Sequence, residues 1–197
     1  MALVALVVGY LLGSIPGTWL IGRWQGVDLR RVGTGNVGAA NLAGSTGRSV
    51  AAIGLFLDAA KGVGAALLGE RWGAAAGVLG GLGAIVGHGW PLWLRFAGGR
   101  SQAVALAAGA VLAPWATLAL LPILGVGFVM RRLAASWLPA VAVWPVAAAV
   151  IGEWQGVLYA VGAGVLTIAL RLVGGRRGGG QPWRQVWRSR LLYDRDP

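Results

Sequence analysis

Two stretches of this 197-residue chain and one pair of charges hold the side chains able to do chemistry. The first stretch is Gly33-Thr34-Gly35-Asn36-Val37-Gly38-Ala39-Ala40-Asn41. Glycine reaches positive φ at no steric cost, so such a run can turn successive backbone N–H groups inward. A nest of that kind binds anions. Thr34, Asn36 and Asn41 add side-chain donors, and Arg30, Arg31 and Arg48 flank the run with positive charge. The reading is a phosphate cradle built from Gly33, Thr34, Gly35, Asn36, Gly38, Asn41 and Arg48. Gly and Asn are also default turn residues, so an ordinary loop accounts for the same run taken alone.

The second stretch is Gly87-His88-Gly89-Trp90-Pro91-Leu92-Trp93-Leu94-Arg95-Phe96-Ala97-Gly98-Gly99-Arg100. Gly98 and Gly99 offer a second nest, and Arg100 a bidentate clamp for phosphate. His88 can exchange a proton near neutral pH, although a lone His at the end of an apolar run also fits a satisfied interfacial residue. The charge pair is Asp58 and Lys61, three apart and so on one helix face if that segment is helical. Both sit in an apolar run, where charges face a bundle interior or a wet cavity. They support a site or pin helices together, and a buried pair alone does not separate the two.

The rest of the composition narrows the chemistry. There is no Cys, and His88 is the one His, so thiolate chemistry and a His-based metal cluster are excluded. A nucleophilic Ser would need a base, and only His88 is available. Of the six acidic residues, Asp28, Asp194 and Asp196 fall in loop or tail, which disfavours a paired-carboxylate mechanism. What remains is positioning of anions and electrostatic stabilisation.

These groups must be positioned by membrane helices. Hydrophobic residues make up 57% of the chain and charged residues 12%, about half the charge of an ordinary soluble domain. The apolar runs are 1–22, 49–68, 72–86, 101–130, 134–151 and 155–170. The first lacks the basic start and the small-residue cleavage site of a secretory signal and reads as a retained span. The run 101–130 is interrupted by Pro114 and Pro122 and must cross twice, as short spans or as a re-entrant hairpin broken near Pro114. With the N-terminus outside, every basic residue except Lys61 and Arg71 falls on the cytoplasmic side, as the positive-inside rule favours. The expected fold class is an all-α polytopic membrane protein of about seven transmembrane helices, some short or re-entrant. Its N-terminus is outside and its C-terminus cytoplasmic, with a membrane domain over 1–172 and a basic tail over 173–197.

Trp19, Trp24, Trp72, Trp90, Trp93 and Trp154 fall near span ends, where indoles prefer to sit. The 35 glycines fit close approach of membrane helices. The net charge of +11 points to anionic lipid or an anionic substrate. Nucleic acid is disfavoured, because the charges are scattered between apolar runs. In the tail, 183–191 reads as a solvated basic segment or a short amphipathic helix on anionic lipid.

Taken together, the segments resemble the bacterial acyl-phosphate:glycerol-3-phosphate acyltransferase family. Gly13-Ser14-Ile15-Pro16 followed by Leu20-Ile21-Gly22 looks like its first span, and Val32 to Asn41 is similar to its first glycine-rich signature. Asp58-Ala59-Ala60-Lys61-Gly62 matches its intramembrane motif. Gly87-His88, Pro91, Phe96 and Gly98-Gly99 match its second signature.

The resemblance implies a seven-span enzyme of the bacterial cytoplasmic (inner) membrane, acting without metal or other cofactor. It would move a fatty acyl group from acyl-phosphate to glycerol-3-phosphate, giving lysophosphatidic acid and phosphate in the first step of phospholipid synthesis. It implies that Thr34, Gly35 and Asn36 cradle one phosphate and that Arg100 with Gly98 and Gly99 holds another. Catalytic roles would fall to Thr34, Asn36, Arg100 and His88, supported by Asp58 and Lys61. The soluble enzyme that makes acyl-phosphate is the implied functional partner.

The resemblance departs at three places. Gly44 stands where the family usually has Arg. Arg100-Ser101-Gln102-Ala103 stands where it has Lys-Gly-Val-Ala. After the last span, Arg171 to Arg177 contains none of the family's His, Asn and Glu, and Arg48, Arg176 and Arg177 are candidates to replace lost contacts. A homologue that binds phospholipid or acyl-phosphate without turnover, and a small transporter, are the alternative readings.

Overall fold

The structure, a computed structural model, describes residues 1–173. The basic tail lies beyond them, and with it Arg176, Arg177 and the 183–191 segment. The described chain runs α1 (Ala2–Ser14), α2 (Gly17–Trp24), α3 (Ala39–Thr46), α4 (Arg48–Glu70) and α5 (Ala74–Gly89). A 3-10 turn (Leu92–Leu94) follows, and then α6 (Gln102–Leu112), α7 (Pro114–Leu118), α8 (Leu121–Val129), α9 (Leu133–Ile151) and α10 (Trp154–Val173). Five segments are long and apolar enough to cross a bilayer: Ala2–Trp24, Arg48–Glu70, Ala74–Leu94, Leu133–Ile151 and Trp154–Val173. The chain is a helical, multi-pass membrane protein.

Two prolines shape the bundle. The first apolar run is not one continuous helix. Ile15, held extended (ψ 115) before Pro16, ends α1, and α2 restarts at Gly17. Within 101–130 the expected break near Pro114 is present. Ala113 leaves helical geometry (φ −152), and Pro114 takes the first position of α7, where its missing N–H costs nothing. The 11 residues of α6 extend only about 16 Å, short of a hydrocarbon core of about 30 Å.

The two ends of this run come together, and its middle is anchored. Gln102 shares a groove with Arg131. Trp115 and Ala116 donate their backbone N–H groups to the Glu153 carboxylate (3.2 and 3.0 Å), near where Gln155 donates to Glu70 (3.3 Å). The chain therefore leaves the groove end at Gln102, turns at Pro114 and comes back at Arg131.

The two halves pack by different means. A Cβ added to Gly9 of α1 would strike the Gly80 carbonyl of α5, and one on Gly13 the Ala84 carbonyl. A Cβ on Gly87 would strike the Tyr10 carbonyl in return. The two backbones lie in direct contact, as small residues permit. Around α9 and α10 the core is aromatic. Trp144 stands edge-on to Trp137 (6.4 Å) and to Tyr159 (5.7 Å). Trp137 and Trp144 donate to Thr167 and Thr117 (3.1 and 3.2 Å), and Tyr159 to the Ala105 carbonyl (2.8 Å), so the buried polar tips are satisfied. Trp24, Trp72, Trp93 and Trp154 are exposed at helix ends, while Trp19 and Trp90 are half-buried.

Candidate functional site

The site is built on a buried ion cluster. Asp58 and Lys61 share a face of α4, with Asp58 Oδ1 3.0 Å from Lys61 Nζ. The Thr18 hydroxyl of α2 donates to Asp58 Oδ2 (2.7 Å), and His88 Nδ1 of α5 lies 3.5 Å from Asp58 Oδ1. Lys61 Nζ also donates to the Ile15 carbonyl (3.0 Å) at the α1–α2 break. Helix ends leave carbonyls without intrahelical partners, and here the ammonium joins the Gly17 N–H (3.0 Å) on the Ile15 carbonyl. Asp58, Lys61 and His88 are 2%, 9% and 7% exposed, so the cluster ties α2, α4 and α5 together inside the bundle.

Both glycine-bearing loops rest on this cluster. The Gly99 N–H donates to the His88 carbonyl (3.0 Å). A Cβ on Gly99 would strike His88 Nε2 and the Val37 carbonyl. The imidazole therefore lies between Asp58 and the second loop, and that loop lies against the first.

In the first loop, Gly33 (φ 53) and Gly35 (φ 70) take left-handed turns, but their neighbourhood is not an open N–H nest: the Gly35 N–H donates to the Val32 carbonyl (3.0 Å) and the Asn36 N–H to the Thr34 hydroxyl (3.4 Å). Asn41, 7% exposed, holds the loop from within. Its Oδ1 accepts from the Thr34 N–H (3.2 Å), and its Nδ2 donates to the carbonyls of Leu29, Asn36 and Val32 (3.0, 3.0 and 3.2 Å). The donor read from sequence as open to phosphate is committed to shaping the loop. Arg30, read as a flanking charge, makes a two-point contact with Asp28 (3.0 and 2.9 Å), which also accepts from Trp19 Nε1 (3.1 Å). That guanidinium, with the indole, holds the Asp28 carboxyl well below the usual carboxylate range.

The second loop does not form the expected nest. Its positive φ angles fall at Arg95, Phe96 and Ser101, not at Gly98 or Gly99, and the Gly99 N–H is already bonded. Glycine is needed there for close approach: a Cβ on Gly98 would strike the His88 carbonyl and the Pro91 ring. Arg100 is 6% exposed, and the fully buried Arg171 of α10 lies near enough to feel its charge.

An open groove of about 1160 Å³ lies over the first loop. Gly33, Thr34, Asn36, Asn41, Ser45 and Arg48 form one wall. Gln102, Arg131 and the apolar Phe128, Val129 and Leu133 form the other. Of the residues read from sequence, Gly33, Thr34, Asn36, Asn41 and Arg48 converge there. Gly35 and Gly38 belong to the same loop. Asp58, Lys61, His88, Gly98 and Gly99 lie beneath the loops, and Arg100 is buried two residues before Gln102.

The sequence reading missed Thr18, Ser45, Gln102, Arg131 and Arg171 as site residues. Arg131 is one of the basic residues counted on the cytoplasmic side, and Arg171 reads only as the residue after the last span. Among the described residues, no carboxylate or imidazole lines the groove. It is suited to hold an anion beside an apolar chain by hydrogen bonds and positive charge.

A helical membrane protein with an open groove lined by cations and hydrogen-bond donors is thus the class that fold and site define. The sequence profile described as Glycerol-3-phosphate acyltransferase matches residues 3–174, and the chain belongs to that family. A glycerol-3-phosphate acyltransferase of Sinorhizobium fredii is 38% identical over 173 residues, 87% of this chain and 80% of that protein. Two solved structures of PlsY (YgiH), an integral membrane glycerol 3-phosphate acyltransferase, share the fold. Its glycerol 3-phosphate form has a TM-score of 0.79 at 31% identity, covering 86% of this chain and 88% of that one. Its lysophosphatidic acid form has a TM-score of 0.78 at 29% identity, covering 86% and 87%.

Proposed function

We propose that this protein transfers a fatty acyl group from acyl-phosphate to the 1-hydroxyl of glycerol-3-phosphate. The hydroxyl oxygen forms a bond to the acyl carbonyl carbon, and the bond from that carbon to the phosphate oxygen breaks. Phosphate leaves with the electron pair, and a phosphate oxygen takes the hydroxyl proton, giving lysophosphatidic acid and inorganic phosphate. The observation that carries the reading is the groove, in which the Gly33–Asn36 turn and Arg48 face a wall with both a cation and apolar side chains.

The Thr34 and Asn36 side chains, set by the turn at Gly35, hold phosphate with Arg48, and the buried Arg100 adds positive charge behind them. No cofactor takes part. His88 acts from below, holding the two loops through Asp58 and Gly99. Asp58 and Lys61 support the same junction.

The same proposal covers placement. The return of 101–130 to the groove end supports seven crossings, with α6 as one and α7–α8 as the next. The arginines near the groove, Arg48, Arg100 and Arg131, support a cytoplasmic site in a bacterial inner membrane. There a soluble enzyme supplies acyl-phosphate, and the Arg-rich tail meets anionic lipid.

The test is turnover by purified protein given palmitoyl-phosphate and glycerol-3-phosphate, with phosphate and lysophosphatidic acid followed together. Asn36→Ala is expected to lower kcat/KM by about 10²-fold, the scale for losing one preorganised donor. Stoichiometric product supports the reading. Folded protein that binds acyl-phosphate but forms no product rules it out in favour of a binding homologue.

A further inference from the structure

We infer that the α8–α9 turn is the acyl-donor wall of the groove, with Arg131 and Gln102 binding the donor's phosphate and Phe128, Val129 and Leu133 the first carbons of its chain. The inference rests on the acyltransferase reading and assigns one substrate to one wall.

Three observations carry it. First, polar and apolar groups are divided. The wall formed by the first loop and α3 offers Thr34, Asn36, Ser45 and Arg48, whereas the facing wall sets Arg131 directly beside exposed apolar side chains. Phe128 and Val129 are 71% and 80% exposed, and Leu133 47%. A charged head joined to an acyl chain fits that wall. Glycerol-3-phosphate, which has no apolar part, does not need it.

Second, the Gln102 Nε2 is buried and has no hydrogen-bond partner among the described residues. Buried donors are nearly always paired. Its residue lines the groove, so a rotation of the side chain would let a phosphate oxygen complete the donor.

Third, Arg131 stands in left-handed geometry (φ 56) just after α8. The Arg132 N–H reaches back to the Gly127 carbonyl (2.7 Å), closing the helix end in a turn whose left-handed residue is usually glycine. In a chain with 35 glycines, an arginine holds this position, consistent with a use for its side chain. The turn fixes where that side chain starts, and the buried Gly127 seats α8 against Ser136 of α9.

The test separates this inference from the reading beneath it. Palmitoyl phosphonate, a stable stand-in for acyl-phosphate, is titrated calorimetrically into wild-type protein, Arg131→Gln and Gln102→Ala. KM is then measured for palmitoyl-phosphate and for glycerol-3-phosphate. Thermal unfolding of each variant is measured alongside, so that a loss of fold is separated from a loss of binding.

Arg131→Gln is expected to weaken phosphonate binding and raise KM for palmitoyl-phosphate by about tenfold or more, the scale of a lost hydrogen bond to a charged group. KM for glycerol-3-phosphate should stay within about twofold, because that substrate does not use this wall. Val129→Asp should reduce kcat/KM for palmitoyl-phosphate and leave KM for glycerol-3-phosphate nearly unaffected. Unchanged phosphonate affinity in Arg131→Gln, or a rise in KM for glycerol-3-phosphate alone, overturns the assignment. Phosphonate binding that depends on Arg131 without any turnover in wild type keeps the wall and discards the acyltransferase reading.

Discussion

The half of the molecule built on α1, α4 and α5 and the half built on α6 to α10 are held together by opposite means. In the first, glycine and alanine let helix backbones touch, and a cluster of Thr18, Asp58, Lys61 and His88 crosses the interface. In the second, Trp137, Trp144 and Tyr159 fill the space between helices, and their polar tips are tied to Thr167, Thr117 and Ala105. The first half should resist enlargement and loss of charge, the second should resist truncation. The first half also carries both loops, and its stiffness is what fixes them. The second supplies the facing wall of the groove from a helix turn at its edge.

The comparison is broken most directly by removing one charge from the cluster. Asp58→Ala leaves Lys61 buried without its carboxylate and is expected to cost about 3–5 kcal/mol. Asp58→Ala with Lys61→Met should recover a large part of that in thermal unfolding. No recovery would show that the ions do more than balance each other.

On the aromatic side, Trp144→Ala should cost about 3–4 kcal/mol by leaving a cavity and the Thr117 hydroxyl without its donor. Trp144→Phe should cost clearly less. Equal losses would place the energy in the Thr117 hydrogen bond rather than in packing.

A smaller effect sharpens the contrast between the halves. Gly13→Val pushes a side chain into the Ala84 backbone and should cost about 2–3 kcal/mol, while Gly125→Ala, with open space around it, should stay within about 0.5 kcal/mol. A matching loss at both positions would mean that α1 and α5 can slide apart.

The smallest predicted effect concerns pH. The Asp28 carboxyl is held below its ordinary range in the folded protein, so its contribution is full above the unfolded value of about 4 and fades as pH falls below it. Asp28→Asn should cost about 1 kcal/mol at pH 7, since Arg30 is a third exposed and partly screened. The cost should shrink in unfolding measured near pH 3. A cost that does not change with pH would show that the charge of the Asp28 carboxylate is not its source.

Legibility in the sequence followed the range of the interactions. The Asp58–Lys61 pair was readable because three residues on a helix set one face. The break before Pro114 was readable because proline acts on its own neighbours. The same rule applied to Pro16, yet the apolar run around it read as one span, because hydropathy averages over a break that keeps its length. Gly98 and Gly99 were mistaken for a nest. Their type fits both a left-handed turn and a close approach, and only the position of His88 decides between them.

By itself, the sequence determined that this is a helical, multi-pass membrane protein, that glycine-rich turns stand beside arginines, and that thiol or His-cluster chemistry is absent. These follow from residue type and from neighbours a few positions away. The tertiary structure alone decided which donors remain open: Asn41 and Arg30 are committed within the first loop, while Gln102 and Arg131 reach the groove from the far half. A side chain's availability depends on partners distant in sequence, Gly99 beside His88 or Arg131 across from Arg48, and only the packed helices set those distances.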